Sequence, residues 1–126
     1  MVDICLMVQI KHFTLKEFDS PDAPGSGSAM QSDFLVKLDK ARELCGLPFK
    51  INSGFRTPAH NKAVGGEPNS AHTKGWAADI GYSSGTEGYR ILTSLLAVGF
   101  TRIGVYKNWL HCDCDPSLPA KVIWSK

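Results

Sequence analysis

A chain of 126 residues, 43% hydrophobic and 21% charged, has the size and apolar content of one soluble folded domain with one core, and 1–126 is read as a single domain. A formal charge of only +2 with no dense Lys/Arg cluster excludes the footprint of a nucleic-acid binder. No apolar run approaches the ~18 residues of a membrane helix, so neither nucleic acid nor membrane is an expected partner.

Residues 1–10 are apolar but short, carry Asp3 and lack a basic leader, so they read as an N-terminal extension rather than an export signal. Without export, Cys5, Cys45, Cys112 and Cys114 are expected as free thiols. Cys112 and Cys114 are spaced C-x-C, which is not the C-x-x-C of structural zinc sites. Thr14-Leu-Lys-Glu17 has the form of a capping box and predicts a short helix anchored by Phe13 and Phe18. Residues 20–28, rich in Pro, Gly and Ser, predict a loop.

Ser32 is placed to cap a helix running to about Cys45, with Phe34, Leu35, Leu38, Ala41 and Cys45 on one face and Gly46 as its stop. Leu47 to Asn52 predicts a strand, and Thr57-Pro58 starts a short helix that Gly65-Gly66 breaks. After a loop over 67–70, Gly75 to Ile80 predicts a strand with Gly75, Ala77 and Asp79 on one face. Thr86 to about Val98 is the second long helix, striped by Ile91, Leu92, Leu95 and Leu96. Arg102–Tyr106 and Trp109–Asp115 predict two strands about a tight turn at Lys107-Asn108, and Val122–Trp124 predicts a short return to the sheet. The class is α+β: a small, largely antiparallel sheet packed against two main helices.

Two imidazoles and a carboxylate stand out: His72 in the loop entering the 75–80 strand, Asp79 on that strand, and His111 on the hairpin strand. Positions 109, 111, 113 and 115 share a face, and an antiparallel neighbour brings His111 beside Asp79. Two nitrogens and one oxygen suit zinc better than magnesium or calcium and leave a fourth position open. Cys112 and Cys114 fall on the opposite face, toward the core. The competing reading of the same residues is a pair of hydrogen-bonded core or rim histidines.

The residues around these three side chains add a resemblance. Ser53-Gly-Phe-Arg56-Thr-Pro, then Ser70-x-His72-x-x-Gly75-x-Ala77-x-Asp79, then His111-x-Asp113 closely resemble the D-Ala-D-Ala metallopeptidase family, over about residues 11 to 118. That family shares a wider group with lysostaphin-type peptidases and hedgehog signalling domains. The resemblance implies Zn2+ held by His72, Asp79 and His111 on the sheet face. It also implies that Arg56 lines the cleft and binds a substrate carbonyl or carboxylate, for which a guanidinium offers a planar fork. Ser70 either bonds substrate or steadies its loop; His60 and Asn61 brace the short helix. The implied function is a monomeric zinc peptidase cutting peptidoglycan stem peptides, as a D-Ala-D-Ala carboxypeptidase or an endolysin-type endopeptidase. Its implied location is cytoplasmic, or phage-encoded and released to the cell wall.

One departure matters. Many family members carry Glu or Asp three residues before the last ligand as general base, and here that position is Asn108. An amide orients water but does not shuttle a proton. Asp113 is the alternative carboxylate, either as a catalytic base or as a partner that orients His111, and Tyr106 is a candidate to stabilise an oxyanion. The departure leaves a second function open: a metal-bound, non-catalytic peptide or cell-wall binding module.

Overall fold

Five strands and three α-helices form between Ile10 and Ser125, in a computed structural model that describes residues 10–125. Cys5 and the rest of 1–9 lie outside the described residues. Helix α1 spans Ser32–Cys45 and buries Phe34, Leu35, Leu38, Ala41 and Cys45 at the predicted spacing. It ends on Gly46 at φ +75°, whose N–H bonds the Arg42 carbonyl. Ser32 is not its cap. Gln31 holds that position without a side-chain cap bond, and its amide reaches the Lys74 carbonyl at 3.0 Å. The residue before α1 therefore ties the helix to the 71–75 segment.

Helix α2, Pro58–Ala63, starts on Thr57, whose hydroxyl accepts the His60 N–H. Helix α3, Gly85–Ala97, starts before the expected Thr86 because Ser84 is the cap, its hydroxyl accepting the Glu87 N–H. Glu87 returns the bond by accepting the Ser83 N–H at 3.0 Å. Ser84→Ala is expected to cost about 1 kcal/mol, read as a lowered urea midpoint with an unchanged slope.

The strands are β1 (Lys50–Ser53), β2 (Ala77–Gly81), β3 (Arg102–Val105), β4 (Trp109–Asp113) and β5 (Val122–Ser125). Their spatial order is β1-β2-β4-β3-β5, antiparallel throughout except β5, which runs parallel to β3. The largely antiparallel α+β class is what the pattern implied. Boundaries moved for local reasons. Strand β2 begins at Ala77, not Gly75, because 71–74 is a turn of 3-10 helix closed by Gly75 at φ +78°. A Cβ at Gly75 would stand 2.5 Å from the Ala29 carbonyl oxygen, so both the backbone angle and the space require glycine there. Strand β1 starts three residues later than expected, and β4 stops at Asp113 rather than 115.

One sheet face carries Ala78, Ile80, Ile103, Leu110 and Cys112 into the core, where Phe34, Leu38, Ile91, Leu95 and Phe100 meet them. Phe34 and Phe100 pack edge to face with ring centres 5.7 Å apart. Cys45, Cys112 and Cys114 are free, and burial pushes the Cys112 thiol well above its usual pKa. At the other end of the core Phe13 and Phe18 meet edge to face at 5.5 Å. Between them a 3-10 turn, Leu15–Phe18, forms where the capping box stands, with the Glu17 carboxylate accepting the Thr14 N–H. Among the described residues no helix is long and apolar enough to cross a membrane.

Candidate metal centre

The opposite sheet face carries the candidate site. Register pairs Ser53 with Asp79, Asp79 with His111, His111 with Gly104, and Gly104 with Trp124. Those five residues form one row across all five strands, and alternation turns the row away from the core. His72 arrives from outside the sheet, on the 3-10 turn Ala71–Lys74. The Ser70 hydroxyl caps that turn by accepting the His72 N–H at 3.2 Å. Lys74 pins it to the end of the hairpin through Asp115 at 2.8 Å.

His72, Asp79 and His111 converge: each offers one ligand atom, and the three atoms lie within 4.8 Å of one another. Hydrogen bonds behind the imidazoles decide which nitrogens face inward. His72 Nδ1 lies 2.7 Å from the Gly54 carbonyl oxygen, a pure acceptor, so Nδ1 carries the proton. His111 Nε2 lies 2.6 Å from an Asp113 carboxylate oxygen, so Nε2 carries the proton there. The inward nitrogens, His72 Nε2 and His111 Nδ1, are then bare lone pairs. They stand 3.2 and 3.0 Å from the same Asp79 oxygen, which is also an acceptor. Three acceptors facing one another need positive charge between them.

A proton answers that need only in part. Burial works against charging His111, yet Asp113 and Asp79 together hold its pKa above the ordinary value. His72 goes the other way, its pKa lowered chiefly by burial. Asp79 stays ionised: burial pushes its carboxyl up, and the two imidazoles outweigh this and hold it well below the usual range. A divalent cation satisfies all three acceptors at once. The donor set of two nitrogens and one oxygen fits a zinc ion with an open fourth position.

Arg56 sits beside the row, 14% exposed at its side chain. Its Nε donates to Ser53 Oγ at 3.1 Å, Nη1 to Asn61 Oδ1 at 3.2 Å and Nη2 to the second Asp79 oxygen at 3.2 Å. A guanidinium has five N–H donors, so two remain for a ligand. Asn61 is braced in turn, its amide donating to the Glu67 carbonyl at 2.8 Å. His60 makes its cap bond through its backbone only.

Asp113 is 1% exposed and has both carboxylate oxygens engaged. One accepts Arg102 Nε at 2.7 Å and the other faces His111 Nε2. It stands behind the imidazole, on the side away from Asp79. Asn108 lines a separate groove with Pro48, Asn52 and Tyr82, at the far end of the two-residue hairpin turn.

Asp79, His111 and Trp124 of the row line a cleft of about 1010 Å³, with His72 and Arg56. One wall is the loop from Gly65 to Ser70; the other is aromatic, built from Tyr106, Trp109 and Trp124. Arg102 and Trp124 escape a reading of local sequence, whereas Trp109 shares the face of His111, as alternation implied. Arg102 and Trp124 enter the site only through register, opposite Asp113 and Gly104. The alternation of Arg102, Gly104 and Tyr106 with core residues was the one available signal.

A sequence model described as Peptidase M15 matches residues 11–113. The zinc D-Ala-D-Ala carboxypeptidase of Streptomyces albus G is 35% identical over 108 residues, an alignment that takes in 80% of this chain. The chain spans 42% of that relative's length.

Proposed function

The chain belongs to the peptidase M15 family, and from that premise we propose that it is a zinc peptidase acting on the stem peptides of peptidoglycan. One observation carries the reading. Two imidazoles, their tautomers set from behind, aim lone pairs at one carboxylate oxygen in the floor of a wide cleft. His72, Asp79 and His111 would hold the ion. Bound there, zinc would polarise a substrate carbonyl and make water nucleophilic near neutral pH.

The protein's own groups supply the rest. The two free donors of Arg56 hold a substrate carbonyl or terminal carboxylate against the floor, and such positioning is worth several kcal/mol of the barrier. Ser70 steadies the turn that carries His72. Asp113 keeps the His111 ring oriented and its inward nitrogen basic. Similarity to a D-Ala-D-Ala carboxypeptidase favours removal of a terminal D-amino acid.

A second reading, a metal-bound binding module without turnover, has one observation in its favour. The carboxylates of the floor, Asp79 and Asp113, are both engaged, and Asn108 faces another groove.

Mass spectrometry of purified peptidoglycan before and after digestion by zinc-loaded protein separates the readings. Loss of one terminal residue supports the carboxypeptidase, and scission within the stem supports the endopeptidase. Intact stems from a protein that retains zinc favour the binding module. Protein that takes up no zinc on titration would overturn both.

A further inference from the structure

Resting on the peptidase reading, we infer that the Tyr106 hydroxyl is the hydrogen-bond donor that meets the scissile carbonyl oxygen as it gains negative charge, and that Trp124 is the positioning residue that aims it. The Trp124 indole N–H donates to Tyr106 Oη at 2.8 Å. That bond occupies one acceptor site of the hydroxyl and leaves its own O–H to donate. Among the described residues this proton meets no acceptor, while Tyr106 and Trp124 both line the cleft over the metal row.

The ring is held on every side that the strands allow. It stacks on Trp109 with centres 4.5 Å apart and planes within 2°. Its backbone N–H bonds the Trp109 carbonyl at 3.0 Å, and its carbonyl accepts the Tyr82 hydroxyl at 2.6 Å. Gly104 makes the Tyr106–Trp124 contact possible. A Cβ there would stand 2.5 Å from the indole nitrogen and 2.9 Å from the Tyr106 ring. Gly104 pairs directly with His111, and the Trp124 ring centre lies 5.2 Å from the His111 ring. The hydroxyl, bonded to that indole, therefore lies on the His111 side of the cleft.

It also stands on the opposite bank from Arg56, which reaches the row from the β1 side through Ser53 and Asp79. Arg102 turns its Nε to Asp113 and one Nη to the Pro119 carbonyl. In the hydrolysis a water oxygen bonds the carbonyl carbon, the π pair moves onto the carbonyl oxygen, the C–N bond breaks and a water proton goes to the leaving amine. Tyr106 keeps its proton throughout and lends a hydrogen bond that strengthens as the oxygen becomes anionic.

The test uses zinc-loaded protein and a synthetic pentapeptide stem. Tyr106→Phe is expected to lower kcat ~10²-fold, the scale for one oxyanion donor, with KM nearly unchanged. Trp124→Phe keeps a ring beside His111 but removes the N–H, and is expected to lower kcat ~10-fold, a fraction of that donor effect. The double variant is expected to be no slower than Tyr106→Phe alone, since Trp124 acts through the hydroxyl. Zinc-free protein gives a second readout: Tyr106→Phe shifts the indole N–H resonance of Trp124 in an ¹⁵N-labelled sample. Losses that add, a rise in KM with kcat intact, or an unmoved indole resonance would each overturn the inference. A parent that cleaves no stem sinks the peptidase reading itself, whereas full activity in Tyr106→Phe beside a cleaving parent sinks only the role given to Tyr106.

Discussion

Asp79→Asn is expected to lower kcat/KM by at least ~10³-fold, about 4 kcal/mol of transition-state stabilisation, and to uncouple the protein's stability from zinc. The variant keeps the size of the side chain and most of its contacts, so a general collapse is not the expected cause. What it loses is the negative oxygen on which His72 and His111 converge. The parent should melt at a higher temperature as zinc is added, because a ligand that binds only the folded state stabilises by about 4 kcal/mol at ~1,000 times its Kd. Asp79→Asn should show little or none of that rise. Thermal melts across a zinc titration, with peptide turnover on the same samples, check both halves. An equal zinc-dependent rise in parent and variant would remove Asp79 from the metal centre.

The second large effect is expected at Asp113. Asp113→Ala removes the partner of Arg102, whose side chain is 13% exposed, and leaves a guanidinium in the sheet without its counter-charge. Breaking one side of such a buried pair costs about 3–5 kcal/mol. The same substitution frees the His111 ring and its tautomer, and loss of a supporting carboxylate of this kind lowers metal affinity by ~10–100-fold. Asp113→Asn separates the two roles the sequence leaves open. An orienting carboxylate predicts weakened zinc binding, with activity largely restored at saturating zinc. A proton-shuttling carboxylate predicts the reverse: zinc affinity preserved and kcat lost. Zinc competition against a chromophoric chelator, followed by kinetics in excess zinc, distinguishes them.

The long helices are legible because their signals are local. Phe34, Leu35, Leu38 and Ala41 repeat at helical spacing within 14 residues, and Gly46 supplies the stop. The meeting of Asp79 with His111 was also within reach, since alternation puts both on polar strand faces and a hairpin leaves few neighbours for β4. Boundaries were harder where a residue serves a distant partner. Gln31 displaces Ser32 as cap position because it also binds the 71–75 turn, and Gly75 leaves the strand because the chain must clear Ala29. Arg102 and Trp124 were illegible for a different reason. Nothing in their immediate sequence says which strand lies beside them, and β5 pairs in parallel with β3 after a connection that carries no hairpin signal. Side chains whose role comes from register become visible only once the order of strands is known.

The single row from Ser53 through Asp79, His111 and Gly104 to Trp124 makes this protein more sensitive to counting than to spelling. Losing or gaining one residue inside β4 would send Leu110 or Cys112 outward and His111 inward, trading the oily face for the wet one along that strand. Length changes in descendants of this chain should therefore gather in the connections, above all between Val64 and Ser70, while the central strands keep their residue count even as their lettering drifts.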